Sequence, residues 1–159
     1  MLQRITPVVL THNEAPNIGR VLARVSWAKD VVVVDSQSTD ATRQIAEGFA
    51  NVRVVTRPFD SHLAQWRFAI EETGIATEWV LRLDADHVLT DEIIGELANL
   101  ASPPDVDAYL APFTYCVHGR ALRGSTYMPS VRLVRCGRTR LYQDGHTERV
   151  AVEGRTLSL

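Results

Sequence analysis

Trp79-Val80-Leu81-Arg82-Leu83-Asp84-Ala85-Asp86 runs from an apolar strand pattern straight into two acids that flank one small residue, and a helix-like segment follows. Two carboxylates thus emerge where a buried strand ends. Ligands of open α/β sheets bind outside the carboxyl ends of the strands. Paired carboxylate oxygens there suit a divalent cation, which in turn grips a diphosphate. A lone Asp-x-Asp is more often a solvated turn, so its meaning rests on the segments around it.

Upstream, the chain alternates between two periods, the pattern of βα units around a largely parallel sheet. Ile5 to Thr11 reads as a strand. Pro16 then stands where a helix would begin, with Ile18, Val21, Leu22 and Val25 on one helical face. Val31 to Val34 is an unbroken β-branched run suited to a central strand buried on both faces. Ala41, Ile45 and Phe49 predict a second helix, Val52 to Val55 a short strand, and Leu63, Trp66 and Ile70 a third helix. Downstream, Thr90 can cap a helix with Asp91 and Glu92 in its first turn and Ile93, Leu97 and Leu100 on its core face. Ser102-Pro103-Pro104 breaks the pattern, and the strands expected beyond it, Ala108 to Val117, Ser130 to Val134 and Arg149 to Glu153, have no helices between them.

With 159 residues, 45% hydrophobic and 23% charged, the chain is long enough to bury a core as a single domain, 1–159. Residues 1–101 form its ligand-binding half and 102–159 the other half, too short for an independent core. A net charge of -2 without a Lys/Arg block speaks against nucleic acid as a partner. No apolar run approaches the length of a bilayer-spanning helix, and Met1-Leu2-Gln3-Arg4 enters a strand pattern, so a cytoplasmic location is expected. Cys116 and Cys136 lack metal-ligand spacing and are expected to be buried thiols. Trp27, Trp66 and Trp79 sit on apolar patterns and are expected in the core.

Three acid-bearing segments follow three successive candidate strands: Thr11-His12-Asn13-Glu14, Asp35-Ser36-Gln37-Ser38-Thr39-Asp40 and Asp84-Ala85-Asp86. In a parallel sheet all three open at one edge. Glu14 and Asp35 can accept from a base N–H or ribose hydroxyl, and Asp86, helped by Asp84, can hold a cation on the phosphates. Taken singly, Asn13, Glu14, Ser38 and Asp40 could equally cap helices. Together the repeated strand-end cluster favours a nucleotide-diphosphate site. No Gly-x-Gly-x-x-Gly follows the first strand, which excludes a dehydrogenase of the dinucleotide-binding type.

Thr11-His12-Asn13-Glu14, Val34 to Thr42 and Leu83-Asp84-Ala85-Asp86 resemble the opening motifs of family 2 glycosyltransferases, in order and spacing. Gly119-Arg120, Arg132-Leu133-Val134-Arg135 and Gly145-His146-Thr147-Glu148 are similar to the branch that includes bacterial lipopolysaccharide core glucosyltransferases. The resemblance implies the GT-A fold, an α/β nucleotide-diphospho-sugar transferase architecture with a mixed, mostly parallel sheet flanked by helices. It implies a nucleotide-sugar donor, usually carrying uridine, and a glycan or glycolipid acceptor of the bacterial envelope. Thr11, Asn13, Glu14, Asp35 and Ser38 would then line the nucleoside, Asp86 would bind Mg or Mn on the diphosphate, and Asp84 the ribose or a metal-bound water. Gln65 and Arg67 fall where related enzymes contact the diphosphate or the sugar, although an amphipathic helix face explains them equally well. Enzymes of the branch usually continue past the equivalent of Arg155 to Leu159 with a further helical segment that helps cover the acceptor site and often touches the membrane, whereas this chain stops on the strand-like Thr156-Leu157-Ser158-Leu159. The resemblance leaves room for peripheral contact at the cytoplasmic face of the inner membrane.

Inverting transfer requires a base on the acceptor side, because the attacking hydroxyl must lose its proton. Glu148 is the first candidate and Asp144 the alternative, with Thr147 standing between His146 and Glu148. A polar turn around Gly145 is the plain reading of both. Arg132 and Arg135 lie on opposite faces of a strand and cannot both meet one phosphate, and Arg132 is favoured. His87 could ligate a metal or fill the turn, and the turn is favoured. His62 and His118 receive no role. Two rivals remain: a nucleotidyltransferase, for which Thr11 to Ile18 lacks the Gly-rich basic phosphate loop, and a catalytically silent nucleotide-binding or interaction domain.

Overall fold

The structure is a computed structural model that describes residues 1–117, 119–123, 128–145 and 147–159. Its first part keeps the expected alternation: β1 (Ile5–Thr11), α1 (Ile18–Arg24), β2 (Val31–Asp35), α2 (Thr42–Glu47), β3 (Val52–Thr56), α3 (His62–Glu71), β4 (Trp79–Asp84) and α4 (Asp91–Asn99). Leu2–Arg4 forms a short 3-10 turn ahead of β1 rather than part of the strand. Thr90 caps α4 by accepting from the Ile93 N–H at 3.3 Å, with Asp91 and Glu92 in the first turn opposing the helix dipole.

Beyond residue 104 come β5 (Val106–Ala111), a small hairpin of β6 (Cys116–Val117) and β7 (Arg120–Ala121), β8 (Ser130–Arg135), a second hairpin of β9 (Thr139–Asp144) and β10 (Thr147–Val152), and β11 (Arg155–Ser158). The single strand expected over Ala108 to Val117 is two pieces. β5 stops at Ala111, next to Pro112, which has no N–H to continue a ladder. β9 was not visible as a strand, because Leu141 is its only buried side chain. Cys116 is exposed and Cys136 half-buried, so the expectation of two buried thiols is corrected: β6 lies outside the main sheet, with both residues in water.

Among the described residues the main sheet has seven strands in the order β11-β5-β8-β4-β1-β2-β3. Every neighbouring pair is parallel except those made by β8, which runs antiparallel to β4 and to β5. Val31 and Val33 pack into one core with Val21 and Leu22 of α1, Ala46 of α2 and Leu97 of α4. Val32 and Val34 pack into the other with Trp66 and Ala69 of α3 and Leu141 of the β9–β10 hairpin. The valine run is therefore buried on both faces, as its composition requires. Trp66 and Trp79 are buried, and Trp27 packs partly buried against the first core.

Candidate functional site

Parallel pairing sets Thr11 beside Asp35 and Leu10 beside Asp84, so β1, β2 and β4 end in one row. The three acid-bearing segments open from that row at the same edge, as expected of a parallel sheet. They border a cleft of about 260 Å³ whose walls include Thr11, His12, Glu14 and Ser36 on one side and Asp84, Ala85 and Asp86 on another. Phe59, His62 and Gln65, from the loop after β3 and the first turns of α3, complete it.

The β1 and β2 segments are clasped together. Asn13, in left-handed conformation with φ 53°, accepts the Thr39 N–H at 2.8 Å through Oδ1, and its own N–H donates to Ser38 Oγ at 2.8 Å. The Ser38 N–H donates to Asp35 Oδ2 at 3.0 Å, the Ala15 N–H to Asp40 Oδ2 at 3.1 Å and the Glu14 N–H to Thr42 Oγ1 at 2.8 Å. Asn13 and Ser38 thus hold two loops in shape. Asp35 and Thr11 are different: both are buried, and Asp35 Oδ1 and Thr11 Oγ1 have no hydrogen-bond partner among the described residues. A buried polar atom without a partner is costly. Glu14 lines the cleft and accepts from Asn17 Nδ2 at 2.7 Å.

Two further groups belong to this edge: His12, within the first acid-bearing segment but given no role of its own, and Gln65, which an amphipathic helix face explained equally well. His12 Nδ1 lies 2.8 Å from the Ser36 carbonyl and its Nε2 3.2 Å from Asn13 Nδ2, so the ring is fixed at the rim. Gln65 is buried beneath the cleft and donates Nε2 to Ser36 Oγ at 2.9 Å. Arg67 donates to the Leu141 carbonyl at 2.9 Å and so ties α3 to the β9–β10 hairpin instead of pointing at a ligand.

At the end of β4, His87 closes a turn. Its N–H donates to the Asp84 carbonyl at 3.0 Å, and its Nδ1 accepts the Asp84 N–H at 3.0 Å. Its Nε2 lies 3.5 Å from Asp84 Oδ2 and 3.9 Å from Asp86 Oδ1. Burial lowers the imidazole below its ordinary value, against the attraction of Asp84. His87 therefore fills the turn, packed on Phe113 at 5.0 Å between ring centres. The Asp84 and Asp86 side chains are 38% and 66% exposed, open to a ligand. Among the described residues no three His, Cys, Asp or Glu side chains converge on one metal position. A hard cation held by one or two carboxylates, with substrate phosphates supplying other oxygens, fits this donor set.

Arg132 of β8 reaches Asp84 Oδ2 with Nη1 at 3.4 Å and lies 4.7 Å over the Phe113 ring. Arg135 is on the other face, stacked on Trp79 at 4.7 Å and paired with Glu78 at 2.9 Å, so the two arginines separate as their spacing requires. Glu148 of β10 accepts from Arg82 Nη2 at 3.0 Å. Arg82 is buried in the centre of β4, lies 4.4 Å over Trp66, and is pulled down to about 10 by burial, against the attraction of Glu148. Nothing in the apolar run around Arg82 signalled this pair. Asp144, 58% exposed, meets Arg149 Nε at 3.2 Å on the rim of the hairpin. Neither Glu148 nor Asp144 lines the cleft. His118 and His146 lie outside the described residues.

Solved structures share this architecture. S. aureus TarS in complex with UDP-GlcNAc superposes with a TM-score of 0.62 and 24% identity, over 77% of this chain and 38% of that one. Glucosyl-3-phosphoglycerate synthase from Mycobacterium tuberculosis, in complex with Mn2+, UDP and glucosyl-3-phosphoglycerate, gives 0.57 and 18%, over 69% and 43%. The fold is the GT-A fold of nucleotide-sugar glycosyltransferases. The family model of glycosyl transferase family 2 matches residues 7–155, and the chain belongs to that family. An uncharacterized glycosyltransferase of Rickettsia bellii is 37% identical over 112 residues, 70% of this chain and 37% of the relative. The lipopolysaccharide core biosynthesis glycosyltransferase LpsC of Rhizobium meliloti is 26% identical over 97 residues, 58% of this chain and 35% of LpsC. The chain thus spans well under half the length of these relatives. No helix among the described residues is long and apolar enough to cross a membrane.

Proposed function

We propose that this domain serves metal-dependent, inverting transfer of a sugar from a UDP-sugar to a hydroxyl of a bacterial envelope glycan or glycolipid. One observation carries the reading: the row of strand ends in which Thr11 stands beside Asp35 and Leu10 beside Asp84, with unpartnered buried oxygens towards one end and exposed paired carboxylates at the other. The UDP-GlcNAc complex of TarS and the Mn2+ and UDP complex of the mycobacterial synthase support the donor and the metal. The likeness to LpsC supports an envelope acceptor.

In this reading Asp35, Thr11 and Glu14 receive the nucleoside, while Asn13 and Ser38 hold the loops that present them. Asp86, helped by Asp84, holds Mg2+ or Mn2+, which when bound offsets the charge gained by the departing diphosphate. Arg132 faces the same diphosphate. Glu148 takes the proton of the acceptor hydroxyl, and Arg82 fixes the direction of its carboxylate. Asp144 is the weaker base, because it sits on the exposed rim with Arg149.

A second reading, a domain that binds the donor without transferring it, is favoured by the absence of both Glu148 and Asp144 from the cleft wall. Calorimetric titration of UDP with and without Mn2+, into the wild type and Asp86→Ala, tests the donor site. Metal-dependent binding that the variant loses supports it, and a folded wild type that takes no UDP overturns it. Release of UDP from a panel of UDP-sugars then separates transfer from silent binding.

A further inference from the structure

We infer that Phe59 is the stacking platform for the nucleobase of the donor, an inference that rests on the donor-site reading above. Phe59 lies in the loop between β3 and α3, 56% exposed, with its ring in the wall of the cleft. A large apolar ring left in water beside a polar cleft needs a reason, and its neighbours show that it is held there. Arg57 forks onto Asp60 with contacts of 2.8 and 2.7 Å, reaches Gln65 Oε1 at 3.0 Å and lies 5.5 Å over Phe68. Asp60 Oδ1 accepts the Ser61 N–H at 2.7 Å, and Ser61 caps α3 through Ala64. His62 meets the Phe59 ring edge-on, 5.5 Å between centres and 80° between planes. Phe59 is therefore the apex of a braced loop. A ring ordered before the ligand arrives loses little freedom on binding.

Position in the sheet selects the part of the donor that it meets. Strand order runs β4-β1-β2-β3, with neighbours about 4.8 Å apart. Asp84 and Asp86 follow β4, whereas Phe59 follows β3, at the far end of that row. A donor whose diphosphate lies at Asp84 and Asp86 and whose nucleoside crosses β1 and β2 brings its base to Phe59. The transferred sugar hangs from the other end of the diphosphate and does not extend that way. Asp35, at the end of β2 between β4 and β3, is buried and keeps Oδ1 unpartnered among the described residues, an acceptor a base N–H would need to reach. Stacking accepts any base, so Phe59 supplies affinity and Asp35 supplies choice.

The test is calorimetric titration of UDP with Mn2+ into the wild type, Phe59→Ala and Phe59→Trp, with the bound uracil H5 and H6 shifts followed by NMR. Phe59→Ala is expected to weaken UDP about tenfold, the scale of base–aromatic stacking, and to reduce the upfield shift of both protons. Phe59→Trp should retain both. Unchanged UDP affinity in Phe59→Ala overturns the inference, as does weaker binding with unaltered uracil shifts, or a loss seen with UDP-glucose and not with UDP. If the wild type binds UDP and Phe59→Ala matches it, the donor site stands and this inference alone falls. If the wild type binds no UDP, the donor-site reading falls and takes the inference with it.

Discussion

Arg82 Nη2 lies 3.0 Å from Glu148 Oε1, which joins the middle of β4 to the β9–β10 hairpin across the face covered by α3. Arg82 is nearly inaccessible, and Glu148 retains 24% of its side-chain exposure. Removing one partner leaves the other charged in a poorly solvated place. Glu148→Ala should therefore cost about 3 kcal/mol, read as a shift of the urea midpoint. Arg82→Met in the same chain should recover part of that loss, because both charges are then gone. A Glu148→Ala chain as stable as the wild type would show that the pair contributes nothing.

Catalytically, the two hairpin acids should separate. With Glu148 as base, Glu148→Gln should lower transfer at saturating donor by about 100-fold and leave the donor KM near its wild-type value. Asp144→Asn should change turnover little. The reverse ranking, measured on the same acceptor, would move the base to Asp144.

Metal dependence should follow the exposed carboxylate. Asp86→Asn keeps the volume and removes the charge, so UDP affinity in Mn2+ should fall by at least about tenfold while metal-free affinity stays the same. Equal losses in both conditions would place Asp86 on the ligand without a cation.

His87 should respond to pH. Burial lowers its imidazole below the ordinary 6.5, so the unfolded chain takes up the proton first as pH falls. The stability due to neutral His87 is complete above 6.5 and declines as pH drops through the folded value. His87→Gln, whose amide oxygen can still accept the Asp84 N–H, should show a flatter urea midpoint between about pH 7 and about pH 5.5. Parallel curves for variant and wild type would show that His87 titrates normally.

The first four strands and their helices were legible in the sequence because each buries an apolar face of its own: Val31 to Val34, or Ile18, Val21 and Leu22, announce period and partner together. β10 was legible in part, as the strand expected over Arg149 to Glu153, but β9 and the hairpin it forms were not, since β9 is mostly exposed and pairs polar residues such as Gln143 with Glu148. The acids at Asp35 and Asp84 could be placed at one edge because parallel strands leave no other choice. Which polar residues face a ligand and which face each other could not be read. Asn13 and Asp35 look alike as candidates, yet one clasps a loop and the other buries an oxygen that has no partner among the described residues. Arg82 and Glu148 lie far apart in the chain, and no local pattern links them.

The clasp itself can be weakened. Asn13→Ala removes the acceptor for the Thr39 N–H and puts a less tolerant residue at φ 53°, at a cost of about 2 kcal/mol. UDP binding should weaken as well, although Asn13 is assigned no contact with it. Unaltered stability and binding would show that the loops keep their shape without it.

The run of four valines in β2 has a consequence for how the chain finds its pairing. Sliding β2 by one residue against β1 flips its side chains between faces, but over most of the run it exchanges valine for valine, and the core scarcely registers the error. What tells the correct alignment from its neighbour lies past the strand end, where Ser36 N–H meets the Thr11 carbonyl and Asn13 meets Ser38 and Thr39. The polar loops that shape the cleft thus also proofread the sheet, and a misaligned chain would lose the shape of the cleft before it lost its hydrophobic packing.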